Sequence, residues 1–220
     1  NSEGEMIAQG VTVPAHLGSV PYAMESLLEK YGHDMESGDV FIMNDPFGGG
    51  MHIPDIYIVK PIFWEGRREA FAVSTAHHLD LGGRLPGSSA CDNTEIFQEG
   101  LRIPWLKLYH GGEPDEAIFT LMRANVRIPR MTIGDLRAQI AACNIGQRSI
   151  ENLINRYGPE TFAAYTADLI AYTEKLMRAE IAAWPNSIHK FTDYMDSDGV
   201  GGPPVRLEVM ITVDGDSLTA

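Results

Sequence analysis

The hydrophobic period changes twice along this chain, and that limits the folds open to it. "GDVFIMND", "DIYIVKPIFW" and "REAFAVSTAHH" are short runs rich in β-branched and aromatic residues, bounded by glycine and charged turns, with "WEGRRE" between the last two. They read as strands. Between 113 and 184 the pattern becomes helical, through "PDEAIFTLMRANV", "TIGDLRAQIAACNIGQRSIENLINRYG" and "PETFAAYTADLIAYTEKLMRAEIAAW". There apolar residues recur at Leu136, Ile140, Cys143 or Ile145, Ile150, Leu153 and Ile154, and Pro159 stands where it can start the last helix. From 189 onward the strand pattern returns. The expectation is an α+β plan: a β-rich section at 1–112 holding the loops, a helical section at 113–187, and the start of a further β segment at 188–220. Within the first section, residues 6–13 read as a strand. "VPYAMESLLEKYG", 20–32, reads as an amphipathic helix closed by Gly32, and "LGGRLPGSSACDN", 81–93, as a loop.

The two ends read as half-hairpins. "NSEGE" is a hairpin-type turn without a preceding strand, and "VRLEVMITVDGDSLTA" turns at Asp214-Gly215 and stops as its return strand begins. The expectation is a piece of a longer polypeptide.

Composition narrows the function classes. With 220 residues and 44% hydrophobic content the chain can bury one large core or two small ones. A net charge of −13 with scattered basic residues argues against nucleic-acid binding. No apolar run reaches the length of a membrane-spanning helix, and the first residues have neither the basic start nor the apolar stretch of a secretory leader. Cys91 and Cys143 are the only cysteines and lie in unrelated contexts, which reads as reduced, cytoplasmic usage.

The polar residues that need explaining gather at strand ends. "NDPFGGGMHIPD" carries Asn44, Asp45, three glycines, His52 and Asp55, and the strand "REAFAVSTAHH" ends in His77-His78-x-Asp80 before Gly82-Gly83. Two histidines and a carboxylate offered from adjacent strand ends are borderline-hard ligands that suit Zn, Mn or Fe with positions left for water or substrate. The glycines, Gly49 and Gly50 among them, would let the backbone pass close to the metal or substrate.

These segments, with "TEIFQEGLRIP", "LMRANVRIP" and "GDLRAQIAACNIG", closely resemble the hydantoinase B/oxoprolinase family from about residue 6 to the end. The family contains subunits of ATP-dependent hydantoin- and lactam-hydrolysing enzymes and of acetone- and acetophenone-type carboxylases. The resemblance implies a divalent metal (Zn, Mn or Fe) on His52, Asp55 and His77. His78 and Asp80 would then orient ligands or shuttle protons, or form a structural hydrogen-bonded pair; Asp45 would be a further ligand or catalytic group, or cap the glycine turn. His16, in "VPAHLGS", matches a family motif and is a candidate for the substrate site or a packing residue; Arg102 would bind an anionic intermediate there or pair with a neighbouring carboxylate. Glu95 and Glu99 read better as a solvated face, Arg123, Arg127 and Arg130 as partners of acids, and Cys143 as core. Neither GxxxxGK[ST] nor a GxGxxG following a strand is present. The resemblance places ATP on a hydantoinase A-like partner subunit or domain, hence in a hetero-oligomer acting on a small-molecule substrate. It implies hydrolysis of a hydantoin, 5-oxoproline or lactam ring; the alternatives are a carboxylase subunit and a non-catalytic scaffold for the partner.

Overall fold

The computed structural model describes residues 1–88 and 90–220; Ser89, part of the loop expected at 81–93, lies outside the described residues. The fold is α+β, with the helices α1 (Pro14–Tyr31), α2 (Glu116–Asn125), α3 (Pro129–Tyr157) and α4 (Pro159–Ala182) and two antiparallel sheets. The first sheet runs β3 (Arg67–His77), β2 (Asp55–Trp64), β1 (Val40–Met43), β4 (Leu106–His110), β5 (Glu113–Pro114). The second runs β6 (Ser187–Met195), β7 (Val205–Asp214), β8 (Ser217–Thr219).

Period-2 alternation decides which core each strand residue enters. Val40, Ile42, Ile56 and Ile58 pack with Phe119 and Met122 of α2 and with Ile133, Leu136, Ile140 and Cys143 of α3. Their neighbours Phe41, Met43, Tyr57 and Val59 pack on the opposite face with Ala23, Met24 and Leu27 of α1. The central sheet is therefore a middle layer, apolar on both sides. That is why "VFIM" is apolar throughout.

Three local expectations differ from the structure. Residues 6–13 form no strand; Ile7 packs by its side chain near Ile62, Ala70 and Ile154, and the segment finds no ladder to join. Helix α1 starts at Pro14 rather than near 20, so Pro14 takes the first-turn position and Pro21 sits in the interior. An interior proline loses its hydrogen bond to the carbonyl a turn earlier, yet the helix runs through, and the additional turn carries His16. The β4–β5 hairpin, turning through Gly111 and Gly112 at φ +57° and +99°, was not anticipated, and β5 falls at the start of the section expected to be helical.

The chain forms two compact units, Asn1–Ala90 with Glu95–Ala163 and Cys91–Thr94 with Ala164–Ala220. This division differs from the three expected sections. Helix α3 lies along β2 and β3, burying a face through which Gln139 and Cys143 reach backbone carbonyls of those strands, so it belongs with the sheet. In the second unit the β6–β7 ladder runs from Ser187–Val213 to Met195–Val205, and Gly215 at φ +60° makes the expected turn into β8.

Candidate metal centre

Asp55 opens β2, with its side chain on the α1 face beside those of Tyr57 and Val59, and it is fully buried. It is directly opposite His77 in the β2–β3 register. His77 Nδ1 lies 2.6 Å from Asp55 Oδ1 and His52 Nδ1 lies 2.7 Å from Oδ2. The His52 backbone N–H donates to Oδ2 at 3.1 Å. His16 Nε2 from α1 stands 3.4 Å from the same oxygen. Three imidazoles thus surround one carboxylate. Their side chains remain 61% (His52), 50% (His77) and 23% (His16) exposed, against 0% for Asp55.

Burial alone would raise the Asp55 carboxyl. The hydrogen bonds from His77 and His52, with the charge of His16 behind them, outweigh it and hold the group below the usual carboxylate range. The carboxylate only accepts, so each Nδ1 facing it carries the proton of that contact, and a divalent cation seated among these atoms would take the place of those protons. The donor atoms of His16, His52 and Asp55 all lie within 4.8 Å of one another, a group that holds His16 in the place expected of His77; small adjustments would bring them to the roughly 2.0–2.2 Å that ligands keep from a shared ion. The donor chemistry, imidazole with carboxylate, fits a borderline-hard divalent cation.

The loop that offers His52 is built by two devices. Asn44, fully buried, donates from Nδ2 to Ile53 O at 2.6 Å and to Leu101 O at 2.9 Å, and Oδ1 accepts from Ile103 N at 2.6 Å. It ties the loop's two ends together. Gly49 adopts φ +94°, and a Cβ there would stand 2.5 Å from the Ala23 backbone nitrogen. Its lack of a side chain is required by α1, and a Cβ at Gly50 would meet the Asp45 carbonyl at 2.8 Å. The close approach expected of these glycines is therefore to protein backbone.

The remaining expected site residues are placed elsewhere. His78 follows His77, so its side chain enters the α3 face. Its Nε2 meets Gln139 Oε1 at 2.8 Å, it is 1% exposed, and its Nδ1 has no partner. Asp80 accepts from the Arg127 guanidinium at 2.7 Å, from the Arg127 backbone at 2.8 Å, and from Gly82 and Gly87. Asp45 caps the 3-10 turn Pro46–Gly48 by accepting from Phe47 N at 3.0 Å, with Arg102 Nε at 3.7 Å. Arg102 itself lies over the rings of Phe47 and Phe97, 5.9 Å from each. Glu95 caps the turn Ile96–Gln98, and Arg123 stands 3.5 Å from Glu116. Sequence reasoning missed Asn44 as the loop's staple, Gln139, and the pair Ser19 Oγ–Tyr57 Oη at 2.5 Å, which ties α1 to β2 beside Asp55. The polar Gln139 inside an apolar helical stripe was a readable signal; the Ser19–Tyr57 pair, 38 residues apart, was not.

The family model for hydantoinase B/oxoprolinase matches residues 1–220. The chain belongs to the hydantoinase B/oxoprolinase family. Within it, the chain is 33% identical over 216 residues to the B-type subunit of a putative D-/L-hydantoinase from Pseudomonas sp. (strain NS671), covering 94% of this chain and 36% of that one. It is 34% identical over 212 residues to the beta subunit of the caprolactamase from Pseudomonas jessenii, covering 96% and 36%. The crystal structure of the ATP-dependent caprolactamase from that organism superposes with a TM-score of 0.93 over 97% of this chain and 37% of that one, at 34% identity. A nucleotide-free acetone carboxylase structure shares the fold, with a TM-score of 0.83 over 91% of this chain and 28% of that one at 22% identity. The chain spans about a third of the length of the curated relatives it matches. Among the described residues, no helix is long and apolar enough to cross a membrane.

Proposed function

We propose that this chain is the metal-bearing part of a B-type subunit in an ATP-dependent cyclic amidohydrolase, opening a hydantoin, 5-oxoproline or lactam ring. The observation that carries this reading is the buried, ionised Asp55 held among His52, His77 and His16. His52, Asp55 and His77 would hold a Zn, Mn or Fe ion, with His16 beside them. When bound, such an ion supplies a Lewis acid that polarises a carbonyl oxygen and lowers the pKa of a nearby water.

The phosphoryl donor would be ATP on an A-type partner, which transfers its γ-phosphoryl group to the ring's amide oxygen. Water adds to the activated carbon. The C–N bond then breaks as the nitrogen takes a proton, giving an open-chain acyl phosphate that a second water converts to carboxylate and phosphate. His78 and Asp80 are engaged with Gln139 and Arg127, so they support the strand ends. His16, which stands off Asp55 at 3.4 Å and keeps an accessible ring, is the group we assign to carry the proton to the leaving nitrogen.

The test uses the full-length protein with its partner, ATP, and a panel of hydantoin, 5-oxoproline and lactams. ATP-dependent appearance of ring-opened product, abolished in His52→Ala, is the expected result. ATP consumption only with a ketone and bicarbonate would overturn it in favour of the carboxylase reading. Unchanged turnover in His52→Ala with impaired assembly would instead support a scaffold.

A further inference from the structure

The turn that carries His16 is the least supported part of α1. Val13 precedes the helix without a side-chain cap, and the first helical hydrogen bond, Leu17 N to Val13 O, is long at 3.3 Å. Gly18 lies inside the turn with open space where a Cβ would stand, so it weakens the helix without making room for anything. Pro21 then leaves the Leu17 carbonyl without its donor from the following turn. The buried residues of the helix, Ala23, Met24 and Leu27, all lie beyond Pro21. Helix propensity and core packing therefore do little to hold "PAHLGSV", yet its imidazole stands 3.4 Å from Asp55.

A chain of hydrogen bonds supplies the missing support. A carbonyl only accepts, so Ser19 Oγ donates to His16 O at 2.8 Å. The Ser19 oxygen is then left to accept from Tyr57 Oη at 2.5 Å. Tyr57 is fully buried in β2, two residues from Asp55 on the same face, and is paired with Met43 of β1 and Thr75 of β3. Flanked by strands on both sides, it is a rigid anchor. The chain thus ties the backbone of His16 to the strand that carries the carboxylate His16 approaches.

We propose that Ser19 and Tyr57 are positioning residues for His16: they fix the first turn of α1 so that the imidazole stays beside Asp55. A misplacement of about 1 Å is enough to cost roughly 100-fold in rate, so a turn this weakly held needs such a tie. The proposal rests on the reading of His16 as the group that carries the proton to the leaving nitrogen.

The experiment uses the full-length protein with its partner, ATP, and whichever of hydantoin, 5-oxoproline and ε-caprolactam the wild type opens fastest. Ser19→Ala and Tyr57→Phe should each lower kcat about ten-fold or more, with KM within about two-fold and metal retained. Because both break one chain, the double variant should lose no more than about three-fold beyond the worse single one. Ser19→Thr keeps the hydroxyl and should recover most of kcat. The His16 Cε1–H NMR signal, assigned by its loss in His16→Gln, should shift in Ser19→Ala and Tyr57→Phe and return toward its wild-type position in Ser19→Thr. An unmoved His16 signal in both variants, or kcat kept in both while His16→Gln loses it, would overturn the proposal. So would a Ser19→Thr as impaired as Ser19→Ala. If Tyr57→Phe fails to fold, Ser19→Ala and Ser19→Thr still decide. Undiminished turnover in His16→Gln overturns the proton-carrier reading instead, and the NMR comparison then decides the positioning by itself.

Discussion

His77 and His78 are adjacent in the chain and lie on opposite faces of one sheet. On the α1 face His77 shares a buried carboxylate with His52 and His16, and all three rings keep access to solvent. On the α3 face His78 is enclosed, bonded to Gln139, and Gln139 donates in turn to the carbonyls of Ile56 at 2.8 Å and Ser74 at 3.1 Å. The polar groups of the α3 face fasten together the two strand ends that present Asp55 and His77. Those of the α1 face converge on one carboxylate and keep their rings open to solvent. The same residue type can therefore bind or brace, and strand parity decides which.

Substitutions on the two faces should fail in different ways. The largest effect belongs to Asp55→Asn, which keeps the shape of the side chain but loses the charge that gathers the imidazoles. Turnover by the full-length protein with its partner should fall at least ~100-fold, since even groups that only orient metal ligands are worth 10–100-fold. Activity within a few-fold of wild type would break the comparison from its reactive side. On the opposite face, Gln139→Leu strands the buried His78 N–H and should cost about 3 kcal/mol in urea unfolding, with metal content unchanged. Loss of metal without loss of stability would show that the α3 face is not merely bracing.

A smaller cost is expected from Arg127→Met, about 2 kcal/mol at neutral pH, because it removes the guanidinium from Asp80. Burial pushes the Asp80 carboxyl up, but the backbone and side-chain hydrogen bonds of Arg127 prevail and hold it below the usual carboxylate range. A depressed folded-state pKa contributes stability above the unfolded value, about 3.9, and loses it as pH falls through the folded value. The stability gap between wild type and Arg127→Met should therefore be full above about pH 5 and narrow below about pH 4; a gap that widens on acidification would refute the assignment. The smallest effect is Cys143→Ala, about 1 kcal/mol. Burial against β2 and β3 pushes the Cys143 thiol up to about 12, so in the native protein an alkylating reagent should modify the exposed Cys91 and spare Cys143.

Much of this contrast was legible in the sequence. The strand runs at 40–43, 55–64 and 67–77 carry their pattern openly, and Pro129 and Pro159 mark the starts of two long helices. Asp55 and His52 stand three apart in one loop, which any local reading finds. The different fates of His77 and His78 were also within reach, because Asp55 and His77 pair across the β2–β3 register and the next residue must face the other way. What was not legible acts over distance. His16 joins Asp55 only because α1 begins before Pro21, where the local rule for proline starts the helix too late. The alternation of residues 6–13 looks like a strand, but a strand needs a partner edge that the sequence does not display. Gly49 looked like a ligand-binding glycine, yet the atoms it makes room for belong to Ala23.

The most direct test of the account is elemental analysis of the full-length purified protein, with His52→Ala, His77→Ala and His78→Gln beside wild type. The account predicts close to one equivalent of Zn, Mn or Fe in wild type and in His78→Gln, and its loss in His52→Ala and His77→Ala. A folded wild type without metal, or metal lost from His78→Gln and kept in His77→Ala, would contradict it.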